Sequence, residues 1–297
     1  SPLPITSTQQ QSHDPFYQRT QADYQFAMGE AYSFEGNHAK AIEAFTMVLV
    51  HDQKSAHVSM RLAAEYVKMG MLNEALLHAE AAIEKDPKLI DAHLLLGGLY
   101  STLRAYPKAF KQYEEVLKLN PKNTDAPMYI GALYAEQKQH GQAIRYFKAL
   151  SKNEDYTTPH LAYYYMGRVY SEQEGAQYQK AAEASFKKAL ELKSDHVESV
   201  IGLAGIYEKT GPGEKLVKFL STFQKDRGPS LRVAEILVQK YLESEKYELA
   251  YEQLEILEAN SEDSLNIKVK MSLILIEQKK YDQAILHLHD ILRKVPE

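Results

Sequence analysis

Tyrosine recurs along this chain at a nearly fixed interval, at Tyr32, Tyr66, Tyr100, Tyr134, Tyr170, Tyr207 and Tyr241, and Leu275 holds an eighth slot. The steps are 34 residues, except for 36 and 37 on either side of Tyr170. Self-similarity at a period of about 20 to 50 residues means one supersecondary unit stacked on copies of itself. That excludes a layered fold built around a single core.

Other residues keep the same frame. A small residue stands three before the tyrosine, at Gly29, Ala63, Gly97, Gly131, Gly167 and Ala204, and an alanine nine after it, at Ala41, Ala75, Ala109, Ala143, Ala250 and Ala284. Four residues further on comes a large one, Phe45, Tyr113, Phe147, Phe186, Leu220, Leu254 or Leu288, with Ala79 as the exception. Asp86-Pro87 and Asn120-Pro121 close units, because the proline ring removes a donor and biases the preceding residue away from helix. Pro296 does the same at the end. Within a unit the apolar residues keep helical spacing around a short turn, at Glu35-Gly36-Asn37, Met69-Gly70 and His140-Gly141. Each unit therefore reads as two antiparallel helices. The small residues mark their close approach, and the tyrosine is expected to fill the space against the next unit.

Small, aromatic, alanine, aromatic and proline at these offsets resemble the tetratricopeptide repeat family, over residues 22–297. The frame places repeats at 22–55, 56–89, 90–123, 124–157, 160–196, 197–230, 231–264 and 265–297. The fold this implies is all-α, a right-handed α-solenoid of eight helix-turn-helix repeats. In the fifth repeat, Glu172 to Lys180 is expected to lengthen the turn by three residues; in the sixth, Leu216 replaces the alanine and Gly211-Pro212-Gly213 breaks the turn.

A chain of 297 residues would ordinarily suggest two domains, but a solenoid reads as one continuous domain. Net charge is −5, and lysines alternate with glutamates, the pattern of a solvated surface and not of a phosphate-binding stripe. Nucleic acid is thus not an expected partner. No apolar run reaches the roughly 18 residues of a membrane span, and the absence of cysteine excludes disulfides and thiolate zinc sites. Residues 1–21 are polar, rich in Gln, Ser, Thr and Pro, and read as a flexible tether. This stretch is similar to the segment after the lipidated cysteine of bacterial lipoproteins, which implies a lipid anchor upstream of Ser1 and a periplasmic or outer-membrane location. A cytoplasmic protein trimmed at its N-terminus would look the same. In the last repeat, Ile285, Leu288, Ile291 and Leu292 would face a further helix, a partner or a second copy of the chain.

Catalytic signatures are missing. Gly211-Pro212-Gly213 lacks the Lys-Ser/Thr of a phosphate loop, His287 and His289 point to different faces of a helix, and Glu114-Glu115 and Glu262-Asp263 read as solvated charge. Neither a cofactor nor a metal is expected, and the chain reads as non-enzymatic. From Glu243 to Asp263 eight acids face the single Lys246, either as a solvated helix face or as a docking patch for a basic partner.

The family resemblance implies a concave groove lined by the first helix of each pair. One groove slot holds Phe26, Met60, Leu94, Met128, Tyr164 and Ile201; four residues along stand Glu30, Ala64, Gly98, Ala132, Arg168 and Gly205. Phe26 and Glu30 would repel the C-terminal carboxylate that chaperone-binding members clamp. The slots Ala27, Arg61, Leu95, Tyr129 and Tyr165 lack the asparagine ladder of sugar-transferase members. The apolar row instead either packs wholly inside the array or receives a peptide or amphipathic helix, with Tyr129, Tyr134, Tyr163, Tyr164 and Tyr165 clustered near the fourth and fifth repeats. Leu3, Ile5, Phe16 and Tyr17 make the N-terminal segment a candidate for folding back into this groove. The expected role is a protein-interaction scaffold in envelope assembly, such as pilus or secretion; a cytoplasmic regulatory adaptor is the alternative.

Overall fold

The computed structural model describes residues 15–262 and 264–294. Among these residues sixteen α-helices and no strands follow one another as eight pairs. They are α1 (Pro15–Phe34) with α2 (His38–His51), α3 (Ala56–Lys68) with α4 (Leu72–Lys85), α5 (Ile90–Thr102) with α6 (Tyr106–Leu119), and α7 (Asp125–Glu136) with α8 (His140–Ser151). There follow α9 (Pro159–Ser171) with α10 (Ala176–Leu192), α11 (Val197–Thr210) with α12 (Gly213–Arg227), α13 (Leu231–Glu243) with α14 (Tyr247–Ala259), and α15 (Leu265–Glu277) with α16 (Tyr281–Lys294). The chain is an all-α repeat solenoid. Its contacts group into two compact units, 1–146 and 147–297.

Inside each unit the packing follows a size rule. An added Cβ on Gly29 would lie 2.6 Å from the Phe45 ring, on Gly97 2.5 Å from Tyr113, and on Gly167 2.7 Å from Phe186. The aromatic of the second helix therefore lies directly on the glycine of the first. Where the first helix carries alanine, the partner shrinks, to Ala79 opposite Ala63 and to Leu220 opposite Ala204. The same rings reach the first helix of the following pair: the Phe186 ring covers Gly202, Tyr113 stacks on Tyr129 at 5.3 Å, Phe147 stacks on Tyr165 at 5.4 Å, and the Arg61 guanidinium lies 5.3 Å from the Phe45 ring. Ala41, Ala75, Ala109, Ala143, Ala182 and Ala250 are completely buried.

The tyrosine ladder takes a different place from the one expected. The Tyr66, Tyr100, Tyr134 and Tyr207 side chains meet the second helix of their own pair or of the preceding one. Tyr66 stacks on His78 at 5.3 Å and Tyr207 meets Phe219 edge-on at 5.4 Å; Tyr134 lies between Tyr146 and Phe110; the Tyr100 hydroxyl donates to Glu80 at 2.7 Å. The backbone of the ladder closes the turn. The carbonyls of Tyr32, Tyr66, Tyr100, Tyr134, Tyr241 and Leu275 each accept the N–H five residues on, at 2.8–2.9 Å. Four residues past each, φ is positive, at Gly36, Gly70, Arg104, Lys138, Glu245 and Lys279. This is the Schellman ending of a helix, in which a left-handed residue lets the chain reverse and satisfies the last carbonyls.

Three local expectations change. His140-Gly141 opens α8, and the turn lies at Lys138 instead. The extra residues of the fifth repeat lengthen α10 to 17 residues, leaving only 172–175 between the helices, with Gly175 at φ 120°. Pro15 to Gln21, assigned to the tether, form the start of α1; Pro15 is its first residue, where its missing N–H costs nothing. Phe16 is 78% exposed and Tyr17 40%, so neither is tucked into a groove, and Leu3 and Ile5 lie outside the described residues.

The size rule makes a paired prediction. Gly97→Ala forces the buried Tyr113 ring to shift and should cost roughly 1–3 kcal/mol in urea denaturation. Gly205→Ala, within helix α11 with nothing within 4 Å, should gain about 0.5–1 kcal/mol by helix propensity.

Candidate functional site

In the first unit Phe26, Met60, Leu94 and Met128 are all half-buried, each at the same register of α1, α3, α5 and α7. The row does not pack wholly inside the array, because each side chain packs on one side and stays open on the other. Phe26 lies 5.7 Å from the Phe45 ring and 5.8 Å from His57 of the next pair, and Leu94 leans on the core around Leu96 and Tyr113. Between α3, α5 and α7 the surface opens into a cavity of about 540 Å³. Leu94, Leu95, Gly98 and Thr102 line it with Val67 and Tyr129. The glycine keeps it deep, since an added Cβ there would first meet the Tyr113 hydroxyl, at 4.0 Å. Leu94 and Gly98 are thus brought together in one cavity. Met128 and Ala132 lie outside its lining, with Ala132 exposed.

The second unit presents Tyr164, half-buried among rings. Tyr165 is 5.1 Å away, Phe186 6.2 Å, and His196 meets it edge-on at 5.1 Å, while the exposed Arg168 lies 6.0 Å from its ring. His160 contacts His196 at 5.2 Å. Burial, then the neighbouring His196 and Lys193, pushes His160 below the ordinary histidine value, and burial pushes His196 down against the pull of Glu198. Both imidazoles therefore take up a proton less readily than a free histidine. Ile201 packs against the core that holds Phe186 and Leu203.

Two sequence models, each described as tetratricopeptide repeat, match the chain, one at residues 60–124 and 103–156 and the other at 22–48. The chain is a tetratricopeptide repeat protein. Among solved structures similar to it is a tetratricopeptide repeat protein from Parabacteroides merdae, with a TM-score of 0.60 at 18% identity, covering 86% of this chain and 99% of that one. PilF of Pseudomonas aeruginosa matches at a TM-score of 0.54 and 19% identity, over 74% of this chain and 98% of its own. PilW, described as a type IV pilus biogenesis factor, matches at 0.55 and 21%, over 70% and 95%. None of the curated proteins compared with the chain matches it.

Within the tetratricopeptide repeat frame, one constellation escaped the sequence reading. Glu65 is completely buried, yet its position just before the ladder tyrosine is apolar in most repeats, as at Leu99, Leu133, Val169, Ile206 and Ile274. That break in pattern was the available signal. Ser33 donates to its Oε1 at 2.7 Å, Lys68 Nζ lies 2.9 Å away, and His38 Nδ1 is 2.7 Å from Oε2. Arg61 sits 3.8 Å from Glu65 and pairs with Glu30 at 2.6 Å, so the groove slots of the first two repeats are bound into an ionic cluster. Lys240 fills the equivalent slot in the seventh repeat and bridges Glu208 and Glu243 at 2.6 and 2.9 Å. The acidic stretch after it is partly paired, Glu258 with Lys268 at 3.5 Å and Glu248 with Lys280 at 3.9 Å. Among the described residues no three His, Cys, Asp or Glu side chains converge as metal ligands.

Burial alone would push the Glu65 carboxyl up, but hydrogen bonds from Ser33, Lys68 and His38 and the charge of Lys68 outweigh it and hold its pKa below the ordinary 4.5. A carboxyl depressed in the folded state contributes stability that is complete above its unfolded value and is lost as pH falls below it. Glu65→Gln should therefore cost on the order of 3 kcal/mol at pH 7, and the gap to wild type should narrow in urea denaturation as the pH falls below 4.5.

Proposed function

We propose that this protein is a non-enzymatic scaffold that binds a peptide or amphipathic helix against the first helices of its repeats. The observation that carries this reading is the row of half-buried apolar side chains, opened at Leu94 and Gly98 into a cavity of about 540 Å³. Ligand sites are concave, mainly apolar and supplied with a few oriented polar groups, and this cavity has the Thr102 hydroxyl and the Tyr129 ring at its edge. A partner helix would insert an apolar residue there and run its next ones along Met60 or Met128, whose flexible thioethers adapt to the surface presented. In the second unit Tyr164 and Arg168 offer a ring and a cation to the same kind of ligand.

Peptides selected from a displayed random library against the whole chain test this directly. Leu94→Glu and Met128→Glu should each weaken the selected peptides at least tenfold, and Tyr164→Ala should weaken those that reach the second unit. The thermal midpoint should fall only modestly, because all three side chains already contact water. Unaltered affinities in all three variants would remove the groove assignment.

The role we favour for such a scaffold is assembly at the bacterial envelope, as a periplasmic or outer-membrane lipoprotein. Likeness to the PilF and PilW structures and the polar segment ahead of the first helix support it. Among the described residues no helix is long and apolar enough to cross a membrane. In the envelope reading we favour, the attachment is a lipid on a cysteine upstream of Ser1. Fractionation of the native host should then recover the full-length protein with membranes and release it with detergent. Recovery in the cytosolic fraction would overturn the envelope assignment.

A further inference from the structure

The sixth repeat departs from the others at the buried-alanine slot of its second helix. In the slot where fully buried alanines stand in the other repeats it carries Leu216, itself 1% exposed, and α11 and α12 pack less extensively than other pairs. The larger side chain occupies the core between α11 and α12 where the other repeats have an alanine. Beside it lies a cleft of about 450 Å³, bounded by the end of α10, the floor of α11 and some three turns of α12. This is a separate place from the groove, in a different repeat and lined mainly by second helices.

Its wall is apolar: Leu190, Val200, Tyr207, Phe219 and Phe223. Its rim is not. Lys215, Lys218 and Arg227 stand against the single Asp226, a local excess of two positive charges on a chain whose net charge is −5. The Lys215 ammonium lies 3.9 Å from the Tyr207 ring and 3.5 Å from Glu183. Among the described residues, neither Lys218 nor Arg227 is within ion-pair distance of a carboxylate.

We propose that this cleft binds an anionic amphiphile, a single alkyl chain of medium length ending in a carboxylate. The cleft volume falls within the roughly 300–1,000 Å³ of small-molecule sites. An apolar trough closed by unpaired cations selects a ligand with an apolar body and a negative head, since burying the body is favourable and the head stays at the wet rim. A peptide fits the wall less well. Its backbone would need donors and acceptors at every residue, and the trough offers chiefly the Ser194 and Thr222 hydroxyls, whereas an alkyl chain needs none.

Titration calorimetry of the whole chain with decanoate, decanol and a soluble peptide rich in Glu and Phe separates the alternatives. Decanoate should bind saturably at one site, at least tenfold more tightly than decanol, and more weakly as salt is added. Thr222→Trp, at an exposed rim position, should block the cleft and abolish binding; Lys218→Glu with Arg227→Glu should weaken it at least tenfold. Circular dichroism melts confirm that these surface variants fold. Leu94→Glu, in the other unit, should leave decanoate binding unchanged, so failure of the groove reading and failure of this one are told apart. Absence of saturable decanoate binding, equal affinity for decanol, preference for the peptide, or indifference to Thr222→Trp would each overturn the proposal.

Discussion

The seating of one aromatic ring on one glycine is what the rest of the array depends on. Phe45 on Gly29, Tyr113 on Gly97 and Phe186 on Gly167 bring two helices so close that no Cβ fits between them. The far side of the same ring meets the first helix of the next pair, at Arg61, Tyr129 and Gly202 respectively. A single side chain thus sets both the spacing within a repeat and the footing of its neighbour. Repeat arrays are held by nearest-neighbour contacts alone, so a residue that serves both contacts carries a disproportionate share of stability.

That geometry also decides what is left for binding. Because the ring covers one side of the following helix, residues one position earlier in the register, Met60 and Met128, are half covered and half free, and Leu94 is half-buried at the same register behind Ala79. The cavity at Leu94 deepens because Gly98 adds no side chain above the Tyr113 hydroxyl. Where the ring is replaced by Leu220 and the alanine by Leu216, α11 and α12 pack less extensively and a second opening forms in the sixth repeat. Both openings trace to side-chain volume, at Gly98 in the third repeat and at Leu216 and Leu220 in the sixth. At the first two repeats charge takes over, with Glu30, Arg61, Glu65 and Lys68 linked around a buried carboxylate.

Much of this was legible in the residues. The eight pairs follow from the period of the ladder, and Asp86-Pro87 and Asn120-Pro121 stop helices where expected, because proline acts through its own covalent geometry. The left-handed turn was legible only at Gly36 and Gly70. At Arg104, Lys138, Glu245 and Lys279 the same conformation is imposed by the helix ending on either side of it, and the residue type hides it. Glu65 was overlooked for a related reason: a buried charge is recognisable once its partners are known, and Ser33 and His38 come from a neighbouring pair.

The amino-acid sequence by itself determined the repeat, its helix pairs and the slots for small and large side chains, since these follow from periodicity, backbone chemistry and volume. Only the tertiary structure decided which way the tyrosines turn, how far each groove residue is covered, and where cavities open. Those outcomes depend on how a ring from one helix fills the gap left by another. Such complementarity belongs to pairs of residues brought together from separate helices, and no single helix carries it.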